Sequence, residues 1–385
     1  MNKHLSYFII FLLFFNISCK EKNVNNEKLF SIENRISESE IKYAYGFKID
    51  YFTNYKLITI NDPWQGAKNV QYRYVLADDL TLLPKMPDDI TVIKTPVSKV
   101  ICLSTTHIAF IDVLNMNKSI VGVSGIQYVF NPDIRKAINQ NKVVDVGYDN
   151  NLNYELITSL KPDLVITYGI GNQVTSYNLK MNELGINTIL NAEYLEEHPL
   201  GKLEWIKFIA AFYNLDDFAN EYFNEIEEQY LKLIILTQDV KSKPKVLMGL
   251  PYKDTWYIPG GNSYMAKLIN DAGGDYIWKE NDSRESLPLD IERIFAFAQK
   301  ADFWLNTGNI NSKEDILTID ERFINFIPFS KGKIYNNNAR ESKFGGIDYW
   351  ESGIVNPHII LSDMIKMFHP ELLVGHKLVY YKQID

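Results

Sequence analysis

The chain has 385 residues, a length that suits about two domains, since single domains run to roughly 100–200 residues. Its 46% hydrophobic and 23% charged residues are typical of a globular protein. The formal net charge of −8 argues against a nucleic-acid-binding function, because such binding needs clustered Lys and Arg. Aromatic residues reach 13%, which suits either an ordinary core or a surface that stacks on a flat ligand.

The N-terminus has the layout of a secretory signal. Lys3 and His4 precede an apolar run at residues 7–15, which is too short to span a bilayer stably. The polar stretch that follows, "KEKNVNNEK", has the composition of a flexible tether. We therefore predict a signal peptide at residues 1–18 and a tether at residues 19–42.

The end of this leader resembles a bacterial lipobox. Cys19 directly follows the small residue Ser18, although Asn16 stands where that motif usually has Leu. The resemblance implies that Cys19 becomes the lipidated first residue of the mature protein. The alternative is a signal peptide that is cut elsewhere, with Cys19 discarded. The second cysteine, Cys102, lies in the strand-like "KVICLS" and is interpreted as a small core residue.

Residues 43–97 have a β-rich, partly alternating pattern. The runs "FKIDYFTNYKLITIND" and "VQYRYVLA" predict an N-terminal hairpin or small antiparallel sheet between residues 47 and 77.

Strand and helix patterns then alternate over residues 98–198 and again over residues 243–385. Such alternation predicts a parallel sheet covered by helices on both faces. Between the two stretches, residues 200–240 predict two linking helices, the second of them long, with apolar side chains at three- and four-residue spacing. The predicted fold class is therefore α/β: two Rossmann-like lobes with parallel or mixed sheets, joined by one long helix, plus a small N-terminal β segment.

One unit occurs twice. "LNYELITSLKPDLVITYG" at residues 152–169 and "LDIERIFAFAQKADFWLNTG" at residues 289–308 share a polar start, a Glu in the first helical turn, an apolar helix face, an Asp, a strand and a Gly. The repeat indicates two lobes built on the same plan.

The order of "VICLSTTHIAFI", "IVGVSG", "NYELITSLKPDLVITYG", "LGINTIL", a long helix, "KVLMGL", "GNSYMAKLINDAGG" and "HPEL" resembles the cobalamin, ferric-siderophore and haem class of ABC-importer substrate-binding proteins. The resemblance covers residues 97 to about 374. It implies two lobes with a ligand between them, a lipid-anchored protein of the cell envelope, no cofactor and no enzymatic activity. Whether the anchor faces the periplasm or the exterior stays open.

The resemblance also implies a permease partner. In that family each lobe presents one surface Glu to an Arg pocket on the permease dimer, and the matching positions are Glu155 and Glu292. A carboxylate against Arg gives a charge-assisted contact. The alternative role for each Glu is stabilisation of a helix N-terminus.

Ligand contacts are expected on the loops that follow the strands and face across the cleft. Those loops are residues 104–107, 125–130 and 168–173 on one lobe, and 252–259, 307–309 and 336–350 on the other. The candidate contacts are Thr105, His107, Tyr128, Tyr168, Trp256, Tyr257, Arg340, Tyr349 and Trp350. The aromatic side chains suit stacking on a macrocycle and the Arg suits a ligand carboxylate or phosphate, but lobe packing and a surface salt bridge are the respective alternatives.

Three of these candidates have side chains that can ligate iron or cobalt. His107 is a possible axial ligand, or it packs at the start of its own helix. Tyr128 and Tyr168 are rival ligands, because Tyr can hold ferric haem.

Two other functions were weighed. A protein that binds bare Zn or Mn needs about three His plus a carboxylate that converge, and His107 alone lies on an expected cleft loop. A doubly wound enzyme is the less favoured alternative, because the sequence contains neither GxSxG nor GxxxxGK[ST].

Overall fold

Two α/β lobes, two linking helices and an N-terminal sheet make up the described part of the protein. The computed structural model describes residues 35–148, 151–169, 173–253, 255–308 and 310–385. The fold class predicted from the sequence is confirmed, with parallel and mixed sheets in the two lobes and a β segment before them. The predicted signal peptide, Cys19 and most of the tether lie outside the described residues.

The N-terminal sheet has the strand order β1-β2-β3-β4-β5. Its strands are β1 (Ser37–Glu38), β2 (Phe47–Tyr51), β3 (Lys56–Asn61), β4 (Gln71–Ala77) and β5 (Thr91–Lys94). Neighbouring strands are antiparallel except for β4 and β5, which are parallel. The sheet is therefore wider than the hairpin pattern predicted, because β5 returns beside β4.

The N-terminal lobe contains a parallel sheet of order β10-β9-β6-β7-β8. Its strands are β6 (Val100–Cys102), β7 (Ile120–Val123), β8 (Val144–Asp145), β9 (Leu164–Thr167) and β10 (Thr188–Leu190). Its helices are α1 (Thr105–Val113), α2 (Pro132–Asn139), α3 (Tyr154–Leu160) and α4 (Gln173–Glu183).

The C-terminal lobe contains a sheet of order β14-β11-β16-β17-β18, parallel except for β18, and a small antiparallel sheet of order β12-β13-β15. The strands are β11 (Lys245–Met248), β12 (Pro251–Tyr252), β13 (Thr255–Ile258), β14 (Asp275–Tyr276), β15 (Leu287–Asp290), β16 (Phe303–Leu305), β17 (Ile334–Asn336) and β18 (Lys382–Gln383). The helices are α7 (Tyr264–Asp271), α8 (Ile291–Ala298), α9 (Lys313–Ile319), α10 (Ile327–Ser330) and α11 (Pro357–Phe368).

The two lobes share a topology. Strands β10-β9-β6-β7 of one correspond to β17-β16-β11-β14 of the other in both order and sequence direction. The Asp of each repeated unit also has the same task. The Asp163 carboxylate accepts hydrogen bonds from the backbone of Ser98 and Lys99 beside β6, and the Asp302 carboxylate accepts one from the backbone of Lys245 on β11. Each Asp thus ties its own strand to the first strand of its lobe.

Two helices link the lobes, α5 (Pro199–Ala211) and α6 (Asp216–Thr237). Twelve of the thirteen residues of α5 are buried, which the sequence alone did not predict. A helix that is apolar on all faces must be covered on all faces. The rings of Trp205 and Phe208 pack against Phe47 of β2, so the N-terminal sheet supplies part of that cover. Among the described helices, none combines the length and apolar content needed to cross a bilayer.

A buried carboxylate on α5 holds the segment between β1 and β2 of this sheet. The fully buried Glu204 accepts hydrogen bonds from the backbone N–H groups of Lys42, Tyr43 and Ala44 at 2.8–3.1 Å. It also forms a 2.8 Å ion pair with the buried ammonium of Lys207. A carboxylate buried away from water destabilises the fold unless hydrogen-bond donors and an opposite charge replace its lost hydration, and these contacts supply both. Glu204 therefore fixes the path of the N-terminal segment across α5.

Replacement of Glu204 by Ala should destabilise the protein strongly. Glu204→Ala leaves three backbone donors without their acceptor and the Lys207 ammonium without its counter-charge, although that ammonium keeps its hydrogen bond to the Glu40 carbonyl, and breaking a buried pair in this way costs about 3–5 kcal/mol. The free energy of unfolding in urea measures the effect. As a control, Glu228→Ala removes an exposed carboxylate that is paired with Lys232 on α6 and should leave the unfolding midpoint unchanged. Equal midpoints for the two variants would contradict the role given to Glu204.

Candidate ligand-binding site

A cavity of about 790 Å³ lies where the two lobes and the N-terminal sheet meet. Its volume falls in the range of about 300–1,000 Å³ that is typical of small-molecule sites. The N-terminal lobe contributes the segment after β10 and the start of α5. The C-terminal lobe contributes the ends of β11, β13 and β16 and the start of α7, and the N-terminal sheet contributes the loop between β3 and β4. The wall is formed by Tyr45, residues 61–62 and 64–67, residues 194–197, Lys202, Met248, Gly249, Tyr257, Pro259, residues 263–265, residues 284–286, Asn306 and Trp350.

Aromatic side chains from all three regions form much of this wall. They are Tyr45, Trp64, Tyr194, Tyr257, Tyr264 and Trp350. Tyr257 and Trp350 keep 55% and 57% of their surface exposed, so each has a face available for a ligand. Rings arranged around one space suit a large ligand with flat or apolar surface.

The cationic groups of the cavity are already in contact with protein. Arg284 forms an ion pair with Glu197, which links the C-terminal lobe to the N-terminal lobe at the cavity rim. The ammonium of Lys202 lies 4.5 Å from the centroid of the Tyr264 ring. Burial lowers the pKa of Lys202, and the carboxylates of Glu193 and Glu196 partly oppose that shift. The wall therefore has no excess of positive charge, because its two cationic groups are outnumbered by the carboxyl groups of Asp62, Glu196, Glu197 and Glu285.

A second contact between the lobes lies outside the cavity. Glu351 is 2% exposed and accepts hydrogen bonds from the backbone N–H groups of Phe130 at 2.8 Å and Asn131 at 2.7 Å. Gly346 lies against the same loop, since a Cβ built there would meet the carbonyl oxygen of Tyr128 at 2.5 Å. The loop at residues 125–130 and the loop at residues 336–350, both expected to face a ligand, are thus packed directly on each other.

The structure places three of the sequence-derived candidates in the protein interior. Trp256 is fully buried in the core of the C-terminal lobe, where its indole N–H donates to the carbonyl of Met248 at 2.9 Å. Tyr349 is 4% exposed, and its ring lies 5.8 Å from that of Tyr381. His107 is fully buried, and burial lowers its pKa to about 3. All three occupy packing positions and do not line the described cavity.

Four further candidates lie near the surface but outside the described cavity wall. Thr105 begins α1 and is half-buried. Tyr128 is half-exposed and packs beside Tyr148, while Tyr168 follows β9 and is half-buried. Arg340 forms a 2.7 Å ion pair with buried Asp348, which is the salt-bridge alternative for this residue. Of the nine predicted ligand contacts, the structure brings Tyr257 and Trp350 into the cavity.

Sequence reasoning missed several residues of the wall. Trp64 lies in "NDPWQGAKN", the segment between the two predicted strand runs, and its loop position is the available signal, since binding residues are often on loops. Arg284 and Tyr194 carry no such local signal. Lys202 lies within α5, where it is half-buried while the other twelve residues of the helix are buried.

The two predicted docking residues occupy equivalent places. Glu155 lies in the first turn of α3, which leads into β9, and Glu292 lies in the first turn of α8, which leads into β16. Both are exposed. Glu292 forms a 2.8 Å ion pair with Arg322, whereas Glu155 makes no ion pair within the described residues.

Across the described ranges, no group of three or more His, Cys, Asp and Glu side chains is placed to hold a metal ion.

The contact made by Glu351 should make stability pH-dependent. Burial raises the pKa of Glu351 to about 7, and the two backbone donors only partly oppose this. The folded state therefore holds the proton more tightly than the unfolded chain. The stabilisation from this group is present below its unfolded pKa of 4.5, and it is lost as the pH rises through about 7, by about 3 kcal/mol in total.

Denaturation of the wild type and of Glu351→Gln between about pH 4 and pH 8 measures this contribution. The difference between the two curves isolates Glu351 from other buried carboxylates, and the wild type should lose stability relative to the variant as the pH rises. Glu371→Gln, which replaces an exposed carboxylate, should keep the wild-type pH dependence. Parallel curves for wild type and Glu351→Gln would refute the assignment.

Comparison with known proteins identifies a family and a related lipoprotein. Residues 100–326 match the family described as periplasmic binding protein. An uncharacterized lipoprotein of Methanocaldococcus jannaschii is 30% identical over 394 residues, which cover 95% of this chain and 91% of that protein.

Solved structures of similar fold include CeuE of Helicobacter pylori with Ni(II) bound. It has a TM-score of 0.56 and 21% identity, and the match covers 74% of this chain and 88% of that one. The periplasmic haem-binding protein RhuT of Roseiflexus sp. RS-1 gives a TM-score of 0.54 and 19% identity, with 71% of this chain and 99% of that one covered. At these identities the likeness is one of fold.

Proposed function

Because the chain belongs to the periplasmic binding protein family, and is thus a substrate-binding protein of an ABC importer rather than an enzyme, we propose that it captures a metal chelate between its lobes and delivers it to the permease. The observation that carries the proposal is the aromatic cavity at the junction of the lobes. Its size and its rings from several elements suit a bulky ligand with extended apolar surface. A ferric siderophore, haem and cobalamin all have that character.

The charges of the cavity bear on the choice among these chelates. Arg284 is paired with Glu197, and Lys202 lies among Glu193, Glu196 and the Tyr264 ring. Glu285 and Asp62 add further carboxylates to the wall. A strongly anionic chelate would be repelled by these carboxylates, while both cations of the wall already have protein partners. A neutral or weakly charged chelate is accommodated without such a change. The names of the similar structures, which refer to Ni(II) and haem, support a metal-containing ligand in general.

The proposal includes a lipid anchor at Cys19. Its support is the lipobox-like sequence around Cys19 and the related archaeal protein, which is named a lipoprotein. A tethered binding protein stays near its permease, which raises the effective concentration for docking.

A thermal-stability panel tests the cargo. The soluble form that starts after Cys19 is mixed with cobalamin, cobinamide, haem, several ferric siderophores, Zn and Mn. A ligand that binds only the folded state stabilises it by about 2.7 kcal/mol at a hundredfold excess over Kd. We expect a shift with one chelate class. A shift with bare Zn or Mn alone would instead assign the protein to the metal-ion class.

Two cavity aromatics provide a second test. The double variant Tyr257→Ala and Trp350→Ala removes two exposed rings, each of which contributes about 0.5–1.5 kcal/mol to stacking. Affinity for the chelate identified by the panel should fall roughly tenfold to a hundredfold, as measured by calorimetry. A control double variant, Tyr252→Ala and Phe297→Ala, removes equally exposed rings outside the described cavity wall and should bind normally. Unchanged affinity in the first variant would reject this cavity as the ligand site.

We further propose that Glu155 and Glu292 dock the protein on its permease. They sit at equivalent positions of two lobes with the same topology. A partner built from two similar halves would therefore meet the same group on each lobe. For Glu292, docking exchanges its present partner Arg322 for a cation of the permease.

Uptake into proteoliposomes that contain the permease measures docking. Glu155→Ala with Glu292→Ala should abolish uptake of the chelate and leave its Kd unchanged, because neither residue lines the cavity.

The matched control is Asp133→Ala with Glu314→Ala, one residue per lobe. Both are exposed acidic residues in the first turn of other helices. Their replacement therefore measures the effect of removing a negative charge from a helix N-terminus. Equal loss of uptake in the control pair, or loss of affinity in the first pair, would contradict the docking role.

A further inference from the structure

We propose that the N-terminal sheet is a third wall of the ligand-binding site and that its β3–β4 loop, which carries Trp64, determines ligand specificity. This inference rests on the proposed function, because it takes the cavity as the ligand site. The family match begins at residue 100, so the sheet lies outside the region that defines the family. Its contribution to the cavity is nonetheless large, with Tyr45, residues 61–62 and residues 64–67 all in the wall.

The segment between β1 and β2 is hydrogen-bonded to α5 and to Glu196, which lies just before that helix. Glu196 accepts hydrogen bonds from the backbone N–H groups of Tyr45 at 3.1 Å and Gly46 at 3.0 Å, and from the indole of Trp205 at 3.0 Å. Glu204 holds the three residues that precede Tyr45 in the same way. Five consecutive backbone amides thus face two buried carboxylates. Such charge-assisted bonds fix the main chain, so the wall is preformed rather than assembled by the ligand.

The β3–β4 loop has a defined conformation of its own. The backbone of Asp62 donates to the carbonyl of Val70, and its carboxylate accepts from the Val70 N–H at 2.9 Å. Ala67 donates to the carbonyl of Trp64, which closes a turn at Gly66, where φ is +80°. These bonds hold the loop over the cavity and leave the Trp64 ring half-buried beside Tyr72, with 6.2 Å between ring centroids.

The C-terminal lobe meets this wall directly. The guanidinium of Arg284 lies 5.5 Å from the centroid of the Tyr45 ring while it is paired with Glu197. One side chain therefore joins the C-terminal lobe, the N-terminal lobe and the N-terminal segment at the cavity rim. Without the N-terminal sheet, the two lobes alone would leave this side of the cavity open. A ligand in the cavity contacts the β3–β4 loop, so chelates that differ on the side facing Trp64 differ in affinity.

Calorimetric titration of four variants tests the inference, with cyanocobalamin, cobinamide, haem and ferric siderophores as the probes. Trp64→Ala should weaken binding of the chelate that the wild type binds by roughly tenfold, and Trp64→Phe should restore most of the affinity. Gln65→Arg places bulk at an exposed position of the wall and should also weaken binding. Tyr55→Ala is the control, because Tyr55 stacks on Phe52 at the other end of β3, outside the cavity wall.

The outcomes separate this inference from the proposed function. Unchanged affinity in Trp64→Ala and Gln65→Arg, with affinity lost in Tyr257→Ala plus Trp350→Ala, overturns the third wall and leaves the cavity as the site. Unchanged affinity in all of these variants overturns both. If no probe binds the wild type, the proposed cargo fails and the inference with it. Because Gln65→Arg alters only an exposed side chain, its result stands even if Trp64→Ala lowers the melting temperature.

Discussion

The burial of helix α5 is the constraint on which the rest of the structure depends. A helix with twelve of thirteen residues buried must be packed on every face, and it carries a carboxylate, Glu204, that must find donors inside the protein. The N-terminal segment meets both needs. Its sheet packs Phe47 on the apolar surface of α5, and its backbone amides satisfy Glu204. The position of the third cavity wall follows from this packing.

The Asp and the Glu of the repeated sequence unit differ in the contacts that they make. Its Asp is structural in both lobes, since Asp163 and Asp302 each tie neighbouring parallel strands together through backbone N–H groups. Its Glu makes no comparable strand-linking contact among the described residues, where Glu155 is exposed and Glu292 pairs with exposed Arg322. Each Glu lies in the first turn of a helix and so favours that helix N-terminus, and a two-fold partner would also explain the repeated surface charge.

The elements of the lobes were predictable because their signals are local. Helix α3 and strand β9 follow directly from apolar periodicity and from the Asn153 cap, whose side chain accepts from the backbone of Leu156. The site was only partly predictable, because it depends on which distant loops meet. The backbone N–H groups of Phe130 and Asn131 donate to the Glu351 carboxylate and join two loops that the sequence predicted to face a ligand, and no local pattern reveals these bonds.

Pairs of adjacent aromatic residues also show why the site was only partly predictable from the sequence. Neighbouring side chains in a strand point to opposite faces, so Trp256 on β13 enters the core while Tyr257 faces the cavity. A strand prediction for residues 255–258 would have placed the Trp256 and Tyr257 side chains on opposite faces. Tyr349 and Trp350 divide similarly in a short 3₁₀ turn, with 4% and 57% of their surfaces exposed. The sequence identified the aromatic pairs as candidates, but the backbone conformation determines which member of each pair lines the cavity.

A crystal structure of the protein with its chelate bound would show where the ligand lies. We expect a ligand between Trp64, Tyr257 and Trp350, in contact with both lobes and the β3–β4 loop, with the hydrogen bonds from Phe130 and Asn131 to Glu351 intact. A ligand held instead between the loops at residues 125–130 and 336–350, with those hydrogen bonds broken and the N-terminal sheet out of contact, would contradict this expectation.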